Sequence, residues 1–248
     1  MSKELVDIIS NYITPLYGEN STEFLQEYNL EESCRYHHFG TTIKIKIGDR
    51  FFLLTAAHCN KLLDGKLPSA FYTLVKDLEI SMYFMPIKTV LIPQNKEYLE
   101  DEDLTFYEID TSDSIWKENL QKVSSYFFSL NCDYSIDFIK NLLILSKGEG
   151  FIYGFPTKDS IDYNKSVLTP KGLLLPVKNI QLDSNNPFYL NYEIEEPDDF
   201  DETLLKGMSG GGLFCRTKNR CFLIGMHIQG SNRIGHSTTT PLFCKSIL

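Results

Sequence analysis

Residues 42–55 constrain the fold most. Thr42-Ile43-Lys44-Ile45-Lys46-Ile47 alternates polar and apolar side chains with a period of two, the pattern of a half-buried strand. Gly48-Asp49-Arg50 is a turn signal, and Phe51-Phe52-Leu53-Leu54-Thr55 is the return strand. Further β-like runs fall at 71–76, 79–84, 86–92 and 104–109. After a gap they resume at 172–181, 188–194, 212–216 and 221–229, and a last strand is expected in the tail from Thr238 to Cys244. The 17 Phe and 14 Tyr suit strands better than helices. Strands at this spacing, separated by turn residues, predict an all-β barrel or sandwich.

Two stretches break the pattern. Leu5, Ile8, Ile9 and Ile13 stand at helical spacing, so residues 3–17 are predicted to form an amphipathic helix ending near Pro15. Residues 18–33 read as a polar loop or short helix. Residues 111–146 are mixed and partly helical in spacing, which suits a connector between two β units. The expected division is a helical extension over 1–33, a first β unit over 34–110, a connector over 111–147 and a second β unit over 148–248, together one domain.

Charge and cysteine content exclude several functions. The formal charge of −9 argues against nucleic acid and anionic membranes as partners. Acidic residues and no long apolar run at the N-terminus argue against a secretory signal, and no apolar run is long enough to span a bilayer. If Met1 is the native start, a cytoplasmic location follows. Cys34, Cys59, Cys132, Cys215, Cys221 and Cys244 include no Cys-x-x-Cys pair, so no zinc site is expected, and the serine chemistry read below needs no metal or cofactor. Free thiols are expected in a reducing compartment. Cys215 and Cys221 could face each other across a hairpin, but the free state is the preferred reading.

The chemistry centres on Gly207-Met208-Ser209-Gly210-Gly211-Gly212. Glycines allow backbone turns closed to other residues and bring N–H groups close to a ligand. A serine held there is a candidate nucleophile, and the neighbouring N–H groups are candidate oxyanion donors. Such a serine needs a base, and the base needs an acid to orient it. His58 follows a predicted strand and two small alanines, Ala56 and Ala57. Asp103 lies in an acidic run with Glu100, Asp101 and Glu102, but it alone abuts the apolar strand that follows. Gly207-Met-Ser209-Gly-Gly211 also fits the nucleophile elbow of α/β-hydrolases, whose acid and histidine follow the serine. No Asp or Glu occurs after Ser209, so that order is impossible here. The order His58, Asp103, Ser209 remains.

On these segments the chain resembles the trypsin/chymotrypsin-fold serine peptidases. Thr55-Ala-Ala-His58-Cys59 resembles their histidine segment, Asp103-Leu-Thr their aspartate segment, and Gly207-Met-Ser209-Gly-Gly their nucleophile segment. The resemblance spans roughly residues 38 to 240. It implies an all-β double β-barrel of the chymotrypsin type, with an N-terminal helix and a partly helical connector, and a site between the barrels. It also implies catalysis by His58, Asp103 and Ser209, with an oxyanion hole from Gly207 and Ser209. The chain departs from the secreted members at Met208, where they carry an Asp that pairs with a liberated N-terminus. Activation by that route is therefore not expected, and the pocket should form unaided or with an activating protein partner. Cys59 also lacks a disulfide partner at the family's upstream position, read here as Thr41 or Thr42.

The strand Leu223-Ile-Gly225-Met-His227-Ile-Gln-Gly230 resembles the pocket wall of picornavirus-type cysteine proteases, and a histidine there also marks glutamyl endopeptidases. The resemblance implies that His227 and Gly230, with a hydroxyl from Thr203, receive a Gln or Glu side chain before the scissile bond. The acidic residues 195–202 disfavour Glu and keep cleavage after Lys or Arg open, with Asp201 as the candidate pocket acid. His37 and His38 read as surface residues, and His236 as part of a polar loop without a role. The expected substrate is a protein or peptide. Intracellular members of this kind resemble peptidases of bacterial stress and antiviral defence modules, which implies a regulatory role. The alternative is a binding module that keeps the fold without the activity.

Overall fold

The computed structural model describes residues 3–19, 36–62, 70–71, 87–91, 94–95, 100–101, 103–122, 124–130, 134–157, 161–162, 167–168, 171–195, 202–218, 220–231 and 233–247. The expected strands at 71–76 and 79–84 lie almost wholly outside these residues, as do Asp201 and most of the acidic run. In the N-terminal half, helix α1 (Lys3–Ser10) leads into β1 (Ile13–Glu19), β2 (Tyr36–Ile47) and β3 (Arg50–Thr55). Helix α2 (Ala57–Leu62) follows, then β4 (Ala70–Phe71), β5 (Ile87–Leu91), β6 (Gln94–Asn95), β7 (Glu100–Asp101) and β8 (Thr105–Ile109). The connector holds α3 (Ser114–Lys122), β9 (Phe128–Ser129) and α4 (Ile136–Ser146). The C-terminal half holds β10 (Gly150–Gly154), β11 (Ile161–Asp162), β12 (Val167–Leu168), β13 (Leu173–Leu182) and β14 (Tyr189–Ile194). It ends with β15 (Gly212–Arg216), β16 (Cys221–Ser231), β17 (Ile234–Thr239) and α5 (Thr240–Ile247).

The all-β expectation holds. The C-terminal unit is a closed barrel, β10-β13-β14-β17-β16-β15, and the N-terminal unit is a seven-stranded sheet in the order β4-β1-β2-β3-β8-β5, with β9 paired to β2. Among the described residues that first sheet does not close. One hydrophobic cluster joins the units, running from Ile9, Ile43 and Phe106 through Phe151 and Phe214 to Met226 and Phe243. A second cluster fills the barrel between α4 (Ile139, Leu142) and Val177, Tyr192, Met208 and Ile224.

Three local readings are corrected. The helix predicted over 3–17 stops at Ser10, and Pro15 lies in β1, which pairs with β2 from Ile13↔Ile43 to Glu19↔Tyr36. Proline tolerates a strand where its missing N–H is not needed, and the apolar Ile13 and Leu16 are wholly buried there. The tail from Thr238 is strand only to Thr239 and then becomes α5. Strand β2 is not half-buried: Lys44 is 1 % exposed, and burial pushes its amine down to about 7. Its alternation separates two packed faces rather than core from solvent. Cys215 and Cys221 are free, as preferred, because they serve opposite faces: Cys215 belongs to the barrel cluster and Cys221 packs on the other.

Candidate active site

His58 sits where β3 runs into α2. Ala56, Ala57 and Cys59 are buried around it, which fixes the backbone, while the His58 side chain remains 44 % exposed. Asp103, just before β8, takes hold of it twice. Its Oδ1 accepts from the His58 backbone N–H at 3.0 Å, and its Oδ2 lies 2.9 Å from the ring Nδ1. β3 and β8 are antiparallel neighbours with Thr55 opposite Thr105, so sheet register brings the two residues together. The hydrogen bond to Asp103, with Cys59 beside it, holds the imidazolium above the ordinary histidine range. Burial opposes the charge of Asp103, but its bonds from His58 outweigh that and hold the carboxyl low. With Nδ1 engaged, Nε2 is the ring atom left for proton transfer.

The loop 206–211 is pinned along its length. Thr157 N–H donates to Lys206 O at 2.8 Å, Thr41 Oγ1 to Gly207 O at 2.8 Å, Gly211 N–H to Met208 O at 2.8 Å, and Thr41 N–H to Ser209 O at 2.8 Å. Gly207 and Gly210 take φ of 91° and 89°, the left-handed region that favours glycine. A Cβ on Gly210 would also come within 1.8 Å of Thr41 O. The N–H groups of Met208 and Gly210 are bonded, to Leu205 O and His227 O. Among the described residues those of Gly207 and Ser209 make no hydrogen bond. Ser209 Oγ donates to Ile228 O at 2.9 Å rather than to His58. Met208, expected to be unable to hold an ammonium, is fully buried in the barrel core.

His227 is 1 % exposed, and its Nδ1 meets Tyr192 Oη at 2.5 Å. The one phenol proton has two acceptors in reach, His227 Nδ1 and His236 O at 3.4 Å; given to Nδ1, the much shorter contact, it leaves the neutral ring with its proton on Nε2. Burial, then the charges of His58 and His236, push His227 down to about 3, so it is neutral at physiological pH. Gly230 stands beside the ring: a Cβ there would come 3.3 Å from His227 Cε1. Thr203 lies in a 3₁₀ turn, Glu202–Leu205, with its side chain exposed and its carbonyl accepting from Lys206 N–H. Among the described residues no bond brings its hydroxyl to His227.

Two histidine readings are overturned. His38 is in β2, 7 % exposed, with Nδ1 3.0 Å from Thr157 Oγ1, and burial pushes it down to about 3. It backs the serine loop: a Cβ on Gly207 would come 2.8 Å from His38 Cε1. His37 lies in the same strand. His236 is in β17 rather than a loop, 2.6 Å from Asn191 Oδ1. Tyr192, Thr41 and Thr157 escaped sequence reasoning. Their partners lie across the fold, and the one trace of Tyr192 is Gly235, where a Cβ would strike the tyrosine ring at 2.1 Å.

No protein-family model and no curated protein matches the chain. Among solved structures it is similar to the serine protease domain of the Sesbania mosaic virus polyprotein, at 13 % identity and TM-score 0.45, covering 96 % of this chain and 92 % of that one. It is similar to a human pathogenic astrovirus serine protease at 11 % identity and TM-score 0.43, covering 93 % and 90 %. It is likewise similar to the protease Anisep from Arthrobacter nicotinovorans, at 11 % identity and TM-score 0.47, covering 92 % and 90 %.

Proposed function

We propose that this chain is a serine endopeptidase of the chymotrypsin type. The observation that carries the reading is the double hold of Asp103 on His58, through the backbone N–H and the ring Nδ1. A carboxylate placed this way orients an imidazole and steadies its positive charge. In the proposed reaction Ser209 Oγ leaves Ile228 O for His58 Nε2. Nε2 takes the hydroxyl proton as Oγ bonds the scissile carbonyl carbon. The carbonyl oxygen becomes an oxyanion facing the unspent N–H groups of Gly207 and Ser209. His58 then gives the proton to the amine as the C–N bond breaks. Water repeats the sequence on the acyl-enzyme and frees Ser209.

For the residue before the cut we propose Gln. A neutral His227 with its proton on Nε2 donates one hydrogen bond to an amide carbonyl. It supplies no positive charge to offset a buried Glu carboxylate. Fluorophosphonate labelling tests the activity: wild type should be labelled and Ser209→Ala should not. An unlabelled wild type at pH 8 would count against a peptidase and favour a binding module. Cleavage-site profiling on a peptide library tests the pocket. A preference for Lys or Arg that survives His227→Ala would remove His227 from the account.

A further inference from the structure

Thr41 is fully buried in β2 of the first sheet, yet its polar groups serve the barrel. Its N–H donates to Ser209 O, and its hydroxyl donates to Gly207 O while accepting from Phe155 N–H at 2.9 Å. Its own carbonyl is held by Thr55 Oγ1 at 2.8 Å, which anchors the residue in its sheet. A trans peptide is planar, so a pinned carbonyl sends the N–H of the same peptide unit the opposite way. The four successive carbonyls of Lys206, Gly207, Met208 and Ser209 are all pinned, and Thr41 holds two of them from the other unit. Lys206 O and Met208 O, held by Thr157 N–H and Gly211 N–H, belong to the peptide units that carry the N–H groups of Gly207 and Ser209, which make no bond among the described residues; Thr41 holds the alternate carbonyls, Gly207 O and Ser209 O, and so fixes the peptide units on both sides of the Ser209 N–H.

We infer that Thr41 is the positioning residue that keeps the Gly207–Ser209 loop in its anion-binding form. Its hydroxyl bridges Phe155 in the barrel to the loop, and its main chain ties both to the first sheet. The loop is thus ordered by a threonine already in the chain, with Met208 buried beside it, and needs no charge released by cleavage. The consequence for catalysis rests on the peptidase reading; the effect on the loop does not.

Thr41→Val keeps the β-branched shape and removes the hydroxyl, leaving Gly207 O and Phe155 N–H without it; Thr41→Ser restores it. Two readouts are taken on each variant: amide resonances of Gly207 and Ser209 by NMR, and the rate of fluorophosphonate labelling. In Thr41→Val the two amides should shift or broaden and labelling should slow by about tenfold to a hundredfold, as for loss of a buried hydrogen bond in the transition state. With a peptide substrate the loss should fall on kcat and leave KM within about twofold, since oxyanion contacts strengthen only in the transition state. Thr41→Ser should return both readouts to the wild-type range. Unmoved amides, or labelling of Thr41→Val at the wild-type rate, would overturn the inference. If the wild type is not labelled, the peptidase reading falls, and the amides alone decide the role of Thr41. Should Thr41→Val not fold, Thr41→Cys, with a weak donor in place of the threonine hydroxyl, takes its place with the same readouts.

Discussion

Replacing Gly40 by cysteine should build a disulfide to Cys59. A Cβ at residue 40 falls 3.6 Å from Cys59 Cβ and 2.7 Å from its sulfur. Disulfides span about 3.5–4.5 Å between Cβ atoms, so the pair is in range without a large backbone shift. The bond would close a loop of about 20 residues, which in the chain-entropy model restricts the unfolded state by roughly 3 kcal/mol. One contact opposes it: the new Cβ would lie 3.0 Å from Ser209 O, so the loop must give by a few tenths of an ångström. Allowing about 1 kcal/mol for that leaves a gain of roughly 2 kcal/mol, or about 4–8 °C in melting temperature for a domain of this size. The assay is a thermal melt of oxidised Gly40→Cys with and without dithiothreitol, alongside thiol titration. Oxidation should remove two titratable thiols, and reduction should lower the melting temperature. Two thiols still titratable after oxidation would refute the placement of Gly40 against Cys59, and with it the packing of the serine loop on β2. The strain on Ser209 O should also slow labelling of the oxidised form.

Three further outcomes are expected. Asp103→Asn should lower kcat/KM by about a thousandfold to ten-thousandfold. Because Asp103 raises the folded pKa of His58, the acidic limb of the pH–rate profile should also move to lower pH; an unmoved limb would detach Asp103 from His58. Tyr192→Phe should leave His227 Nδ1 without its hydroxyl partner and lower kcat/KM for a Gln-containing peptide by about tenfold to a hundredfold, while a peptide with Ala before the cut is less affected. Urea unfolding at pH 7 and pH 5 should show an acid-labile fold. His38 and His227 are neutral when folded, with pKa values near 3, against about 6.5 unfolded, so below pH 6.5 the unfolded state binds more protons. Each histidine should cost about 1.4 kcal/mol per pH unit as pH falls from 6.5 toward 3. His58, with its raised folded pKa, runs the other way, its stabilisation being full below 6.5 and fading as pH rises. A urea midpoint that is flat or rising toward pH 5 would contradict neutral burial of the pair.

The strands that carry the site were readable wherever local pattern and packing agreed. β3, β8, β13 and β15 lie within a residue or two of expectation, because short apolar runs bounded by turn residues leave few alternatives. Residues 3–17 misled because Leu5, Ile8, Ile9 and Ile13 satisfy a helical spacing, while β2 offered Ile13 and Leu16 a sheet edge and a buried face. His38 misled for a similar reason. Nothing local distinguishes a polar residue at a strand entrance from one that packs against Thr157, whose partner lies far along the chain.

The sequence by itself determined the order His58, Asp103, Ser209 and the apolar Met208 beside Ser209, since these depend only on which residues occur and where. The tertiary structure decided what those residues face. Sheet register placed Asp103 on His58, a cross-barrel contact set Tyr192 on His227, and Thr41 came to hold the serine loop from the other unit. Such contacts join residues far apart in the chain, and their energy exists only once both units have folded and excluded water between them.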